Sequence, residues 1–470
     1  MKTKFIEQIL IFFSVSKWVI LSSMIGMIIG AVVTFFLNII HFTEDSQSLL
    51  PFPSYYLLPF GLMLTVFVIN RYAPNAKGHG TEKVIEAVHK RNGKIEAKVI
   101  PIKLVATVIT IFSGGSVGKE GPGAQIGAGT ASLFSQFFKF STADRKKLVI
   151  CGISAGFATV FGTPISGAIF GVEVLIVGII MYDVLLPSFI AAFSAYATAK
   201  YLGVHYETFH TAFFTKAIQI NFTLILEVML AGLFFGLIAF FLITFLKKTE
   251  HLIKKININS YIKAFLGGTL LLLISFVIGD QYFGLGLNVI NDLFSDNSDI
   301  SQNVPWYSFI AKTFYTSVTL GAGGSGGIIT PIFYVGATSG HLFGSLIDVE
   351  HIRLFAALGL TAVLAGATNS PIAAIIMAIE LFGIEIAHYA AISSVIAFLI
   401  SGHRSVFPSQ VLKMSKSSML NIHYGDNIDE SEVDLSEKSK QKIEKHKRRI
   451  KNFKHKIDNR KKFNNPFSKS

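Results

Sequence analysis

The chain has 470 residues, 51% of them hydrophobic and only 15% charged, with 43 phenylalanines, a balance that excludes an ordinary soluble protein and points to a polytopic membrane protein. The formal charge of +13 invites a nucleic-acid reading until it is located. Lys438 to Ser470 holds 14 Lys and Arg against Glu444 and Asp458, a net +12 within 33 residues, and the rest of the chain is nearly neutral.

In chain order, the opening MKTKFIEQILIFFSVSK predicts a cytoplasmic or interfacial helix over 1–16, and the apolar run after it has no small-residue cleavage site, so no removable signal is expected. A transmembrane domain is expected over 17–412, with halves at about 17–203 and 222–412. Apolar stretches recur at 18–40, 56–70, 165–199, 222–246, 262–279 and 371–400, several of them near the roughly 20 residues a bilayer core requires. Others are cut short: 104–112 runs into SGGSVGKEGPG and 308–320 into GAGGSGGIITP. Such pieces fit helices that stop part-way through a membrane, which is tolerated where their backbone ends face a protein-lined or watery cavity. Glycines also let helices pack closely, but packing alone explains neither the Lys119–Glu120 pair nor the prolines. The lone Cys151 sits in an apolar stretch and is expected only to pack.

The loop KKTEHLIKK at 247–255 is basic, and 280–303 carries acids and no base, which places the first in the cytoplasm and the second outside. The acidic stretch 426–437 reads as a solvated linker. The basic tail at 413–470 reads as cytoplasmic, disordered or helical, orienting the chain and touching anionic lipid rather than nucleic acid. Both termini are thus expected on the cytoplasmic face of the cell (inner) membrane.

An internal repeat links the two glycine-rich breaks: GGSVGKEGP at 114–122 matches GGSGGIITP at 323–331 at Gly, Gly, Ser, Gly and Pro. TPISGAIFGVEV at 163–174 aligns with SPIAAIIMAIEL at 370–381 at nearly the same offset. Duplicated membrane proteins of this kind often have halves of opposite orientation, with broken helices meeting near the midplane. Here the helix starts follow the breaks. Free N–H groups and positive dipole ends converging in low dielectric make an anion site without a full positive charge. A carboxylate at that place, Glu120, can occupy the site when ionised and leave when protonated or displaced, the behaviour of a gate or proton carrier. A fixed helix cap is the plainer alternative.

These residues resemble the CLC family of chloride channels and proton-coupled chloride exchangers, in the form without CBS domains. The family's GSGIP, GREGP and GGIFAP stretches and its late tyrosine correspond to GHGTE at 78–82, GKEGP at 118–122, GGIITP at 326–331 and SVFPSQ at 405–410. The resemblance implies an all-α membrane fold built as an inverted repeat with broken, re-entrant helices, a homodimer, no cofactor and no metal. It implies that Glu120 gates, and that His79, Gly118, Lys119, Glu120, Gly121, Ile328, Ile329, Thr330 and Phe407 line the anion path, most of them through backbone N–H groups. Two departures stand out. His79 and Phe407 replace the usual serine and tyrosine hydroxyls, and Val174 stands where many exchangers carry an inner proton glutamate. Glu173 and Glu380, repeat mates on apolar helices, are expected to be structural and to have buried partners.

A gated chloride channel is the favoured reading, with proton-coupled exchange of chloride or fluoride close behind. An intramembrane enzyme finds no HExxH, GxSxG or phosphate-loop pattern in any break. A transporter of organic anions would want a recurring Arg or Lys for the carboxylate, and only Lys119 qualifies.

Overall fold

Two sets of helices follow one another in the same order. The computed structural model describes residues 2–206, 222–295, 304–431, 433–436 and 439. The first set is α1 (Lys2–Gln47), α2 (Leu58–Tyr72), α3 (Gly80–Lys90), α4 (Val99–Phe112), α5 (Glu120–Phe137), α6 (Thr142–Phe161), α7 (Pro164–Glu173) and α8 (Tyr182–Tyr201). The second is α9 (Phe222–Lys255), α10 (Ser260–Ile278), α11 (Leu287–Phe294), α12 (Ser308–Gly321), α13 (Ile329–Ile347), α14 (Ile352–Thr368), α15 (Pro371–Phe382) and α16 (Ala387–Ile400). The repeat seen in two motifs therefore extends to the order of the described helices. Among the described residues, Ile6–Gln47, Phe222–Lys255, Ser260–Ile278 and Val349–Thr368 are long and apolar enough to cross a membrane. Short apolar helices such as Val99–Phe112 and Pro371–Phe382 lie among them, as the interrupted stretches required.

The halves are inverted at their meeting point. Gly118 donates its N–H to the Gly327 carbonyl at 2.7 Å and Gly327 returns the bond, an antiparallel bridge between the two breaks. A second reciprocal contact closes the repeat. Glu173, ending α7, accepts from the N–H groups of Ile372 at 3.1 Å and Ala373 at 2.8 Å in the first turn of α15. Glu380, in α15, accepts from Ile165 at 2.9 Å and Ser166 at 2.7 Å in the first turn of α7. Each glutamate satisfies orphan donors of the other helix and meets its positive dipole end, which stabilises the buried carboxylate of Glu173 and the half-buried one of Glu380. Glycines inside the helices bring neighbours together: a Cβ on Gly127 in α5 would lie 2.5 Å from the Gly152 carbonyl in α6.

Two segments differ from the sequence expectation. Residues 1–16 are no separate helix, because no Gly or Pro interrupts the chain there and α1 runs unbroken through its 46 residues. At about 1.5 Å per residue it is about 70 Å long, well beyond a hydrocarbon core of about 30 Å. The helix is largely exposed before Trp18, which is buried, and Lys17 pairs with Asp144 at 2.8 Å.

Where it is described, the stretch after 412 adds short strands to an otherwise helical fold. β1 (Ile176–Val177) pairs in parallel with β2 (Val411–Leu412), and β3 (Leu420–Ile422) pairs antiparallel with β4 (Val433–Leu435). The Lys416 ammonium fastens this stretch to the core, donating to the Phe398 carbonyl at the end of α16 and to Asn369 Oδ1, each at 2.6 Å. Within the supposed acidic linker, Asp429 pairs with Lys247 at 2.7 Å and Glu430 with Lys90 at 3.4 Å. Most of the basic tail lies outside the described residues.

Candidate functional site

The site is built where α5 and α13 begin. Both helices start directly after the bridged breaks, whose turns use left-handed glycines at Gly114 (φ 81°) and Gly323 (φ 110°). Pro122 and Pro331, inside the first turns, need no N–H donor there and fit a helix start. The two N-termini are in contact: a Cβ on Gly327 would stand 2.7 Å from the Gly121 nitrogen.

Glu120 is the first residue of α5 and is 1% exposed. Its carboxylate reaches across the break to α13, accepting the Thr330 N–H at 3.2 Å and the Thr330 hydroxyl in a short bond. It lies over Gly118, where a Cβ would strike it and stand 2.7 Å from Thr330 Oγ1, so only glycine fits. Glu120 thus occupies the place where the two helix starts converge.

The remaining expected residues are distributed around it. Ile328 and Ile329 start α13, with Ile328 facing a cavity on one side of the break. Lys119 precedes α5, and its charge acts on His41 and Glu44 on the opposite side of the break. His79 sits just before α3, and its ring centroid is 6.3 Å from that of the fully buried Phe407. Its Nδ1 is buried with no hydrogen-bond partner. Gly118 lies at the break itself, where its N–H is bonded to the Gly327 carbonyl.

The cavity below His79 measures about 480 Å³. Lys77, Lys83, Lys247, Lys254 and Lys263 line it against Glu82, Glu250 and Asp429, with His79 and Ile328 among the lining residues toward the break. Such a basic funnel raises the local concentration of anions at the mouth of the site.

Sequence reasoning passed over three features. The first is the Thr330 hydroxyl, because only its backbone was considered. The second is a pair of fully buried lysines at matching places in the repeat. Lys103 Nζ donates to the carbonyls of Ala76 at 3.2 Å and Gly78 at 2.5 Å, fastening the turn that presents His79. Lys312 Nζ donates to Tyr282 at 3.0 Å and Gly284 at 2.9 Å, fastening the corresponding turn of the second half. Extending the repeat alignment back from the breaks to KLVATVITIFSGG and KTFYTSVTLGAGG would have found them. The third is a clasp: the Glu82 carboxylate accepts the Ser409 N–H at 3.1 Å and the Ser409 hydroxyl in a short bond, tying the His79 turn to the Phe407 loop.

Comparison with known proteins agrees with this geometry. Residues 60–402 match the voltage gated chloride channel family. A chloride/fluoride channel protein of Pseudomonas syringae pv. tomato is 32% identical over 421 residues, 87% of this chain and 90% of that protein. An H+/Cl− exchange transporter of Vibrio parahaemolyticus is 27% identical, over 77% of this chain and 81% of that one. The crystal structure of a CLC-type fluoride/proton antiporter superposes with a TM-score of 0.79 at 28% identity, covering 85% of this chain and 99% of that chain. These matches, the inverted halves and a carboxylate seated between two helix starts place the chain in the voltage-gated chloride channel (CLC) family of membrane anion transport proteins.

Proposed function

We propose that this anion transport protein exchanges a small halide, fluoride in preference to chloride, for protons. The observation that carries the reading is the seat of Glu120. Its carboxylate fills the space between the α5 and α13 starts and holds the Thr330 N–H and O–H, so an anion and the ionised carboxylate compete for one site. Each passing anion requires the carboxylate to leave, and protonation favours leaving because the neutral acid accepts weaker hydrogen bonds. That mutual exclusion favours exchange over the passive channel to which Val174 had pointed. A hydroxyl donor beside an amide donor suits fluoride, the smaller and more strongly hydrogen-bonding halide. The relatives named as a fluoride/proton antiporter and as a chloride/fluoride protein agree with that choice.

The basic cavity is read as the cytoplasmic vestibule. Lys90 at the end of α3 and Lys247 pair with Glu430 and Asp429 on that side, and Arg145, next to Asp144 that pairs with Lys17, donates to the Asn92 carbonyl just beyond α3, which favours both described ends of the chain lying there. The acidic stretch from Asp280 lies on the other side, where the Gly284 N–H donates to the Gly114 carbonyl. This arrangement supports a multi-pass protein of the cell membrane with cytoplasmic termini, and the resemblance to the family adds a homodimer with a path in each subunit. Purified protein in liposomes, with fluoride and chloride efflux followed by ion-selective electrodes and internal pH by a trapped dye, tests the proposal. Fluoride efflux accompanied by proton uptake supports it. Faster chloride efflux with no change in internal pH would return the reading to a channel.

A further inference from the structure

Exchange requires protons to travel between the vestibule and Glu120, and the residue expected to carry them cannot. Val174, the cap of α7, is fully buried and aliphatic, and its carbonyl is occupied by Gln410 Nε2 at 2.7 Å. Three carboxylates line the vestibule. Glu250 is held by Lys254 and Asp429 by Lys247, each at 2.7 Å. Glu82 differs from both: among the described ion pairs it has no lysine partner, and its bonds go to the Ser409 amide and hydroxyl. It also stands in the GHGTE turn at the place where the resembling motif has proline.

The position of Glu82 joins the vestibule to the gate. It lies in the first turn of α3, three residues beyond His79, and both line the same cavity. Between them, Gly80 is pressed against α5: a Cβ there would clash with the Gly121 carbonyl and stand 2.9 Å from Gln125 Cβ. The first turn of α3 is therefore wedged against the residue next to Glu120. Lys77, Lys83 and Lys263 complete the charged rim around Glu82.

We propose that Glu82 is the carboxylate through which protons pass between the vestibule and Glu120, in place of the side chain missing at Val174. The inference rests on the exchange reading above. A hydronium ion of the vestibule protonates the Glu82 carboxylate and is left as water. The carboxyl then releases that proton past His79, whose Nδ1 has no partner, to the Glu120 carboxylate, and Glu82 regains its charge and its bonds to Ser409. One O–H bond breaks at Glu82 and one forms at Glu120, with a transient N–H bond at His79 Nδ1, where the proton is handed on. The protonated Glu120 leaves the anion site.

The test follows fluoride and proton movement together in liposomes for the unmodified protein, Glu82→Gln and Ser409→Ala. The unmodified protein is expected to take up protons as fluoride leaves. Glu82→Gln is expected to pass anions while proton uptake falls at least about tenfold, and Ser409→Ala, which keeps the carboxylate, to stay coupled. A coupled Glu82→Gln variant overturns the role of Glu82 and leaves exchange intact, whereas an uncoupled unmodified protein overturns both. If Ser409→Ala uncouples as fully as Glu82→Gln, Glu82 acts only as a clasp on the Phe407 loop and the proposal fails. Glu82→Cys supplies a second readout if Glu82→Gln does not fold: alkylation with iodoacetate restores a carboxylate and should restore proton uptake, and iodoacetamide should not. Equal results from the two reagents would overturn the proposal.

Discussion

Glu120→Gln exchanges one carboxylate oxygen for an amide nitrogen and leaves the two helix starts in place. In the native arrangement the carboxylate accepts two bonds from Thr330, one from the amide at 3.2 Å and one from the hydroxyl. Glutamine keeps both contacts only as neutral bonds, its amide oxygen accepting the Thr330 N–H and its NH2 donating to the Thr330 hydroxyl oxygen. Hydrogen bonds to a charged group contribute about 1.5–3 kcal/mol and neutral ones about 0.5–1.5, so losing the charge weakens each contact by about 1–1.5 kcal/mol. Over two bonds the side chain holds the site less firmly by about 2–3 kcal/mol. Because the residue is only 1% exposed, solvent screens little of this. An anion competing for the same donors should then bind about 30- to 150-fold more tightly. Titration calorimetry of halide onto purified protein, at a pH where the native carboxylate is ionised, measures the change. An affinity equal to that of the unmodified protein would show that carboxylate and anion do not share the site, and Glu120 would be a helix cap.

Three further outcomes follow from the geometry. Phe407→Tyr adds a hydroxyl beside His79, whose ring centroid is 6.3 Å away, and should tighten halide binding severalfold in the same calorimetric assay, since one hydrogen bond to a charged partner contributes about 1.5–3 kcal/mol before the cost of burying the hydroxyl. Lys103→Met leaves the buried carbonyls of Ala76 and Gly78 without their donor, at about 1–3 kcal/mol each. It should lower the melting temperature in detergent and weaken anion binding through the loosened His79 turn. Glu173→Gln and Glu380→Gln each remove a charge from two N–H groups at a helix start, and should lower the melting temperature by similar amounts, with flux per folded protein kept.

The seat of Glu120, the breaks and the inversion were legible because each is written twice in the chain or breaks the hydrophobic pattern. Glu120 stands out against apolar flanks, and the two Gly-Gly-Ser-x-Gly stretches mark both helix starts. Glu173 and Glu380 could be assigned partners in principle, because a carboxylate on an apolar helix requires them. The specific partners were hidden, since they are backbone N–H groups far along the chain. Lys103 and Lys312 escaped for the same reason: their acceptors are carbonyls, which every residue has. Thr330 gave no signal because threonine is ordinary in a helix start. The docking of the stretch after 412 gave no signal: Asp429 and Glu430 are exposed, as an acidic linker suggests, and they also find lysines of α9 and α3 that only the fold brings near.

The account's central claim is that anion and proton movements are tied through Glu120. It is tested most directly by the reversal potential of the reconstituted protein in a proton gradient with equal fluoride on both sides. Exchange predicts a non-zero potential that shifts systematically as the gradient is changed and vanishes in Glu120→Gln. A potential that stays at zero whatever the proton gradient would contradict the claim and leave a gated anion channel.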